Sequence, residues 1–153
     1  MKKGFKVSII THHPEIFAAK DKNLSKNGIT KRIIAKLTNK SNKVLNFFKK
    51  FLDNGGEIKV KIPEESDIIQ EIRNKRPLGA LMTTNFIYGK EPKFNFHFNI
   101  ITGIDDKYVY VNDPLPDSRG GKKKYTKKDF FYGLYASAYG DLDNVSLLLV
   151  RKP

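Results

Sequence analysis

The sequence predicts an α+β domain whose sheet is mostly antiparallel and flanked by helices. Three observations lead there. Short β-branched and aromatic runs, "FKVSIIT", "LGALMTT", "KYVYVND" and "NVSLLLVRK", are bounded by Gly, Pro and acidic turns and read as strands. Two segments, "KVLNFFKKFLD" and "DIIQEI", carry apolar residues at helical spacing. The order is strand, helices, strand, helix, three strands, helix, strand. Strands that follow one another directly favour hairpins over a regular βαβ alternation.

The elements follow in chain order. Phe5 to Thr11 is a buried strand that Pro14 breaks. Residues 20–28 are mostly polar and end on Gly28, so they read as loop. Ile29, Ile33, Ile34 and Leu37 have the spacing of one helical face. The next helix is the clearest: Ser41 suits its N-cap, Val44, Leu45, Phe48, Phe51 and Leu52 form its apolar face, and Gly55 suits the left-handed residue after its last turn. "EIKVKIP" alternates as a strand up to Pro63. "ESDIIQEIRNKR" is a short amphipathic helix that turns Ile68, Ile69 and Ile72 inward, and Pro77 forbids its continuation. "LGALMTT" is apolar throughout, as a central strand would be. "NFHFNIITG" and "KYVYVND" around "IDD" form a hairpin. "PLPDSRGGKKK" reads as loop, with two prolines and two glycines. "TKKDFFYGLYASAYG" is helical, with Thr126 and Asp129 placed as a capping box, and "NVSLLLVRK" closes the sheet.

A chain of 153 residues suits one domain over residues 1–153, and folding at this size buries roughly 70% of the surface of the unfolded chain. The net charge of +13 raises the question of an anionic partner. Lysine supplies 24 of the 29 basic residues and is spread along the chain, whereas arginine, the better residue for bidentate phosphate and base contacts, supplies five. That composition disfavours nucleic acid. There is no cysteine, which excludes disulfides, zinc thiolate sites and a thiol nucleophile from this chain. The apolar run Val7 to Ile10 is too short for a signal peptide, and no segment approaches the ~20 apolar residues that cross a bilayer. A cytoplasmic protein without a membrane span is expected.

The candidate chemistry lies in "FNFHFNIITGIDDKYVYVNDP". Side chains alternate along a strand, so His97, Asn99 and Ile101 share one face and Val109, Val111 and Asp113 share another. With a three-residue turn over Ile104 to Asp106, Gly103 pairs with Lys107 and His97 falls opposite Asp113. A two-residue turn would shift the register by one and reverse the faces. A histidine held by a carboxylate is the base and orienter of a nucleophilic triad. A satisfied core histidine beside a turn aspartate has the same residues, and spacing does not separate the two.

Other motifs are weaker. His12 and His13 point to opposite faces of a strand, so both do not reach one metal with Glu15. No metal site or cofactor is expected. Five lysines fall within Lys122 to Lys128, around Tyr125, and read either as a grip for phosphate or an acidic peptide or as a solvated loop and helix start. Ser8, Thr11, Thr83 and Thr84 lie on or beside strands. None is placed at a helix N-terminus near His97, so none reads as a substitute nucleophile.

The stretch "HFNIITGIDDKYVYVNDP" resembles the His-to-Asp segment of the bacteriocin-leader-processing (double-glycine leader) cysteine peptidases and their papain-like relatives, through His97, Gly103, Asp106, Tyr110, Asn112, Asp113 and Pro114. More loosely the resemblance extends to "KGFKVSII", "LDNGGEIKV", "RNKRP" and "LGALMTT", most of the chain. It implies a papain-like fold and hydrolysis of peptide or amide bonds through a thioester. His97 would be the general base and Asp113 its orienter. Asn85, Phe86 and Tyr88, in the connection leading into His97, would border the substrate cleft. The family's nucleophile is a cysteine near the start of a helix upstream of the strand matching Phe5–Thr11, with a glutamine or similar donor just before it. This chain contains neither, so the domain is expected to lack the N-terminal cysteine helix. The native chain would extend upstream, a second polypeptide would supply the helix, or the domain is a pseudoenzyme that binds without cutting. A peptide or protein substrate is the expected partner. The alternative is a basic, non-catalytic module for an anionic partner such as nucleic acid.

Overall fold

A computed structural model describes residues 4–12, 17, 21, 24–36, 43–89, 96–116, 120–136 and 145–152. Among them run seven strands, β1 (Lys6–His12), β2 (Glu57–Val60), β3 (Leu78–Thr83), β4 (Phe96–Ile104), β5 (Tyr108–Asp113), β6 (Gly121–Thr126) and β7 (Val145–Arg151). Four α-helices accompany them: α1 (Lys26–Lys36), α2 (Lys43–Asp53), α3 (Glu65–Arg73) and α4 (Lys127–Ala136). The strands form one sheet in the order β2-β1-β7-β3-β4-β5-β6. Only the β1–β2 pair is parallel, and α1 and α2 lie in the crossover between those strands. The architecture is therefore α+β, as expected. Pro14, Leu37 and Ser41 lie outside the described residues.

The alternation of each strand sorts the core into two layers. Ile10, Leu78, Ala80, Met82, Ile101, Val109, Val111, Leu147 and Leu149 pack with Ile68 of α3 and with Phe130 and Leu134 of α4. On the other face, Ile9, Ile58 and Val60 pack with Ile29 and Ile33 of α1 and with Leu45, Phe48 and Leu52 of α2. Burying each such side chain contributes about 1.5–3 kcal/mol relative to leaving it exposed. β3 is buried at all six positions and lies between β7 and β4, the central strand its composition predicts.

Local signals set most boundaries. Gly55 takes φ +84° and closes α2: its N–H donates to Leu52 O (3.0 Å) and Gly56 N–H donates to Phe51 O (2.9 Å). Asp129 N–H donates to Thr126 Oγ1 (3.1 Å), and that hydroxyl donates back to Asp129 Oδ2 (2.7 Å), the expected start of α4. α3 opens on Glu64, whose backbone N–H donates to Asp67 Oδ2 (2.8 Å).

Two expectations are corrected. α1 starts at Lys26 and takes in Gly28, which the sequence places at the end of a loop. Ser25 Oγ accepts the Gly28 N–H (3.2 Å), a side-chain cap that outweighs the glycine. The run "GKKKYT" is strand β6 rather than loop. It pairs with β5 from Tyr108↔Thr126 to Asp113↔Gly121, and only Tyr125 is buried. An edge strand with lysines on its exposed positions has no apolar alternation to show.

Candidate functional site

The topology brings one end of the sheet together. The C-terminal ends of β1, β3 and β5 and the N-terminal ends of β4, β6 and β7 all lie there. His97, second residue of β4, and Asp113, last residue of β5, meet at this end. His97 Nε2 is 2.9 Å from Asp113 Oδ1. The carboxylate is fully enclosed, and the imidazole keeps 16% of its surface exposed.

The contact forms, but not by the register the sequence suggests. The connection is not the expected three-residue turn: four residues, Asp105 to Tyr108, separate the first paired residues, and Asp105 Oδ1 accepts the N–H groups of Lys107 (2.8 Å) and Tyr108 (2.7 Å). Ile104 therefore pairs with Val109 and Gly103 with Tyr110. That register alone would turn Asp113 to the face away from His97. A bulge between Ile101 and Gly103 moves the ladder by one, so that Ile101 pairs with Val111 and Ile100 with Asn112. Continued outward, this places Asp113 beside Asn99 and makes it the diagonal neighbour of His97. A diagonal pair remains within reach of two such side chains.

Further groups hold the pair. Leu115 N–H donates to Asp113 Oδ1 (2.9 Å), closing an Asx turn at the end of β5. Asn99 is buried, with its amide nitrogen 3.3 Å from His97 Nε2. Asn99 Oδ1 and Asp113 Oδ2 are buried without a hydrogen-bond partner among the described residues. A buried acceptor left without a donor costs about 1–3 kcal/mol. Tyr125, 6% exposed, lies close enough for Asp113 to act on it. Burial first, then the neighbouring Tyr88 hydroxyl and the Asp113 charge, push its phenol far above the ordinary range.

The close fit around Asp113 includes a glycine. A Cβ on Gly120 would stand 1.7 Å from the carbonyl oxygen of Leu115, the residue whose N–H holds Asp113. Gly120→Ala is expected to push Leu115 away, to cost about 2 kcal/mol, and to weaken the Leu115–Asp113 bond. A thermal melt together with the amide exchange rate of Leu115 reads both effects. An unchanged exchange rate would show that Leu115 does not depend on the glycine.

The remaining candidates separate. Asn85 is 4% exposed, and its N–H donates to Thr83 Oγ1 (3.3 Å). Tyr88, in a single 3-10 turn after β3, is 43% exposed and brings its hydroxyl to 3.5 Å from that of Tyr125, on the Asp113 side of the site. Phe86 lies in the same turn, and its side chain is outside the described residues. His13 and Glu15 also fall outside them. His12, on β1, is three strands from β4, so about 14 Å separates it from His97. Among the described residues no group of three or more His, Cys, Asp or Glu could hold a metal. Of the described arginines, Arg32 pairs with Asp21 (2.9 Å), and Arg76 and Arg151 pair with Glu71 (2.9 and 2.7 Å). The signals missed in the sequence are Asn99, Leu115 and Tyr125. Asn99 was already on the His97 face, whereas Tyr125 depends on a strand that composition hid.

A family model described as the Peptidase_C39 like family matches residues 18–142, a span that includes His97 and Asp113. No curated protein and no solved structure matches the chain. No helix among the described residues is long and apolar enough to cross a membrane.

Proposed function

The chain belongs to the Peptidase_C39 like family, and from that membership we propose that it carries the base-and-orienter half of a thiol-dependent peptidase site, with a peptide or protein segment as its substrate. The observation that carries this reading is the 2.9 Å contact between His97 and an enclosed Asp113 at one end of the sheet.

The geometry supports the following roles. Asp113 Oδ1 already accepts from Leu115 N–H, and its contact with Nε2 calls for a proton from the ring. With the ring hydrogen on the nitrogen that faces Asp113, the other ring nitrogen would take a proton from a nucleophile. Asp113 then steadies the imidazolium that forms. Tyr88 is the candidate to contact substrate, since it is exposed and joined to the site through Tyr125. Asn85, being buried, serves the packing of the β3 end, and Phe86 is assigned to the same cleft border.

The sequence holds no cysteine, so the covalent route through a thioester needs a thiol supplied from outside these 153 residues. Without that thiol the domain is a pseudoenzyme that binds a peptide in its cleft and leaves it intact. Isolated as this chain, it is expected to hydrolyse no peptide bond. A thiol-dependent turnover by the 153 residues alone, sensitive to an alkylating reagent, would overturn the assignment.

The alternative, a basic module for a polyanion, has less behind it. Three of the four described arginines are occupied in internal ion pairs. A fluorescent single-stranded oligonucleotide is expected to show at most weak association that vanishes by physiological salt. Binding that persists there, with a steep linear dependence of log K on log salt, would favour that alternative instead.

A further inference from the structure

A second place in the molecule has the chemistry of a ligand site. A cleft of about 180 Å³ opens between α3, the β4–β5 turn and the start of α4. It lies far from His97: Ile104, on its wall, is seven residues further along β4, on the order of 20 Å away. Its floor is aliphatic, made by Ile69, Ile72 and Ile104, all only partly buried. Ile72 and Ile104 rest on the main core, so their positions are set by packing.

The charges around that floor fall into two groups. Glu65 and Lys127 pair with each other across α3 and α4 at 2.7 Å. Asp105 accepts from two backbone N–H groups and from the Tyr110 hydroxyl (2.7 Å). These bonds, the tyrosine's first, hold its carboxyl below the usual range. These three are therefore fixed parts of the wall. Arg73 and Asp106 are different: both are exposed, both line the cleft, and neither has a partner among the described residues. One is a guanidinium, suited to a carboxylate, and the other is a carboxylate, suited to an ammonium.

We propose that this cleft binds a small zwitterion with an aliphatic side chain, an α-amino acid of leucine's kind. Its carboxylate would meet Arg73, its ammonium would meet Asp106, and its side chain would rest on Ile69, Ile72 and Ile104. The volume falls below the 300–1,000 Å³ of sites for drug-sized ligands, which limits the occupant to a small molecule. The wall is already ordered by its own ion pair and turn, so binding costs little rearrangement. Both contacting charges are exposed, which sets the expected affinity in the millimolar range. The inference is independent of the peptidase reading.

The test is a titration of the whole chain, methyl-labelled at isoleucine, with L-leucine followed by NMR. Saturable shifts of the Ile69, Ile72 and Ile104 methyls are expected at millimolar leucine. Arg73→Ala and Asp106→Asn are each expected to weaken binding about threefold to fivefold, and L-leucine amide, which lacks the carboxylate, to behave with the wild-type chain as L-leucine does with Arg73→Ala. His97→Ala is expected to bind as the wild type does. No saturable shift at these three methyls, or shifts indifferent to both substitutions, would mean that the cleft is only a solvated gap, and the proposal would be wrong.

Discussion

Hydrolysis by a thiol-supplied form of the protein is expected to fall at least ~10³-fold in His97→Ala. Such a form carries an added helix with a cysteine placed against the imidazole, on the same chain or on a second polypeptide. The reason is the division of labour at β4 and β5. In the proposed assignment Asp113, 2.9 Å from the ring, holds the imidazole and steadies its charged form, and the imidazole acts as base. Among the described residues in contact with the ring, none can take its place as base: Asn99 is an amide, and Asp113 is fully enclosed. Asp113→Asn keeps the shape and removes the charge. Its amide no longer selects the Nε2–H tautomer or steadies the imidazolium, so a smaller loss, about 10²-fold or more, is expected. Peptide turnover measured for the two variants beside the parent decides the matter. Equal turnover in His97→Ala and the parent would remove His97 from catalysis.

The largest effect on stability is expected at Glu71. This glutamate sits in the last turns of α3 with its side chain 2% exposed. Arg151 of β7 reaches it at 2.7 Å (Nη2–Oε1), and Arg76, just past the helix, reaches it at 2.9 Å (Nε–Oε2). One carboxylate thus ties a helix, its exit and the closing strand. Glu71→Ala leaves two guanidiniums without their shared carboxylate. Removing one partner of a buried pair costs about 3–5 kcal/mol. Both arginines keep some water, at 25% and 34% exposure, so about 3 kcal/mol is expected here. Denaturant unfolding reads it, and a loss under 1 kcal/mol would show that the arginines find water as good a partner.

The same group gives the protein an acid limit. Burial pushes the Glu71 carboxyl up, but the hydrogen bonds and charges of Arg151 and Arg76 outweigh it and leave the group below its ordinary value. Asp105 is lowered as well, chiefly by the Tyr110 hydroxyl and the turn N–H groups. A lowered carboxyl contributes stability that is whole above its unfolded value and lost as pH falls toward the folded one. Stability is therefore expected to decline below about pH 4.5 in the wild type, and less steeply in Glu71→Ala.

Composition and periodicity determined much of this protein. The pattern of "LGALMTT" marks a strand covered on both faces, the glycine after "FFKKFLD" marks a left-handed stop, and the alternation in "HFNII" and "YVYVND" puts His97 and Asp113 on chemistry-bearing positions of neighbouring strands. These signals are legible because each depends on residues close in sequence. What the sequence left open was decided by contacts between distant residues. Strand β6 exists because β5 offers it a ladder, not because "GKKKYT" prefers a strand. The His97–Asp113 contact depends on a bulge whose one extra residue reverses the face of everything beyond it. The Glu71 clamp joins residues 80 positions apart. A local pattern can state which residues would serve in a site, but whether they meet is set by register and packing, and those are properties of the folded sheet.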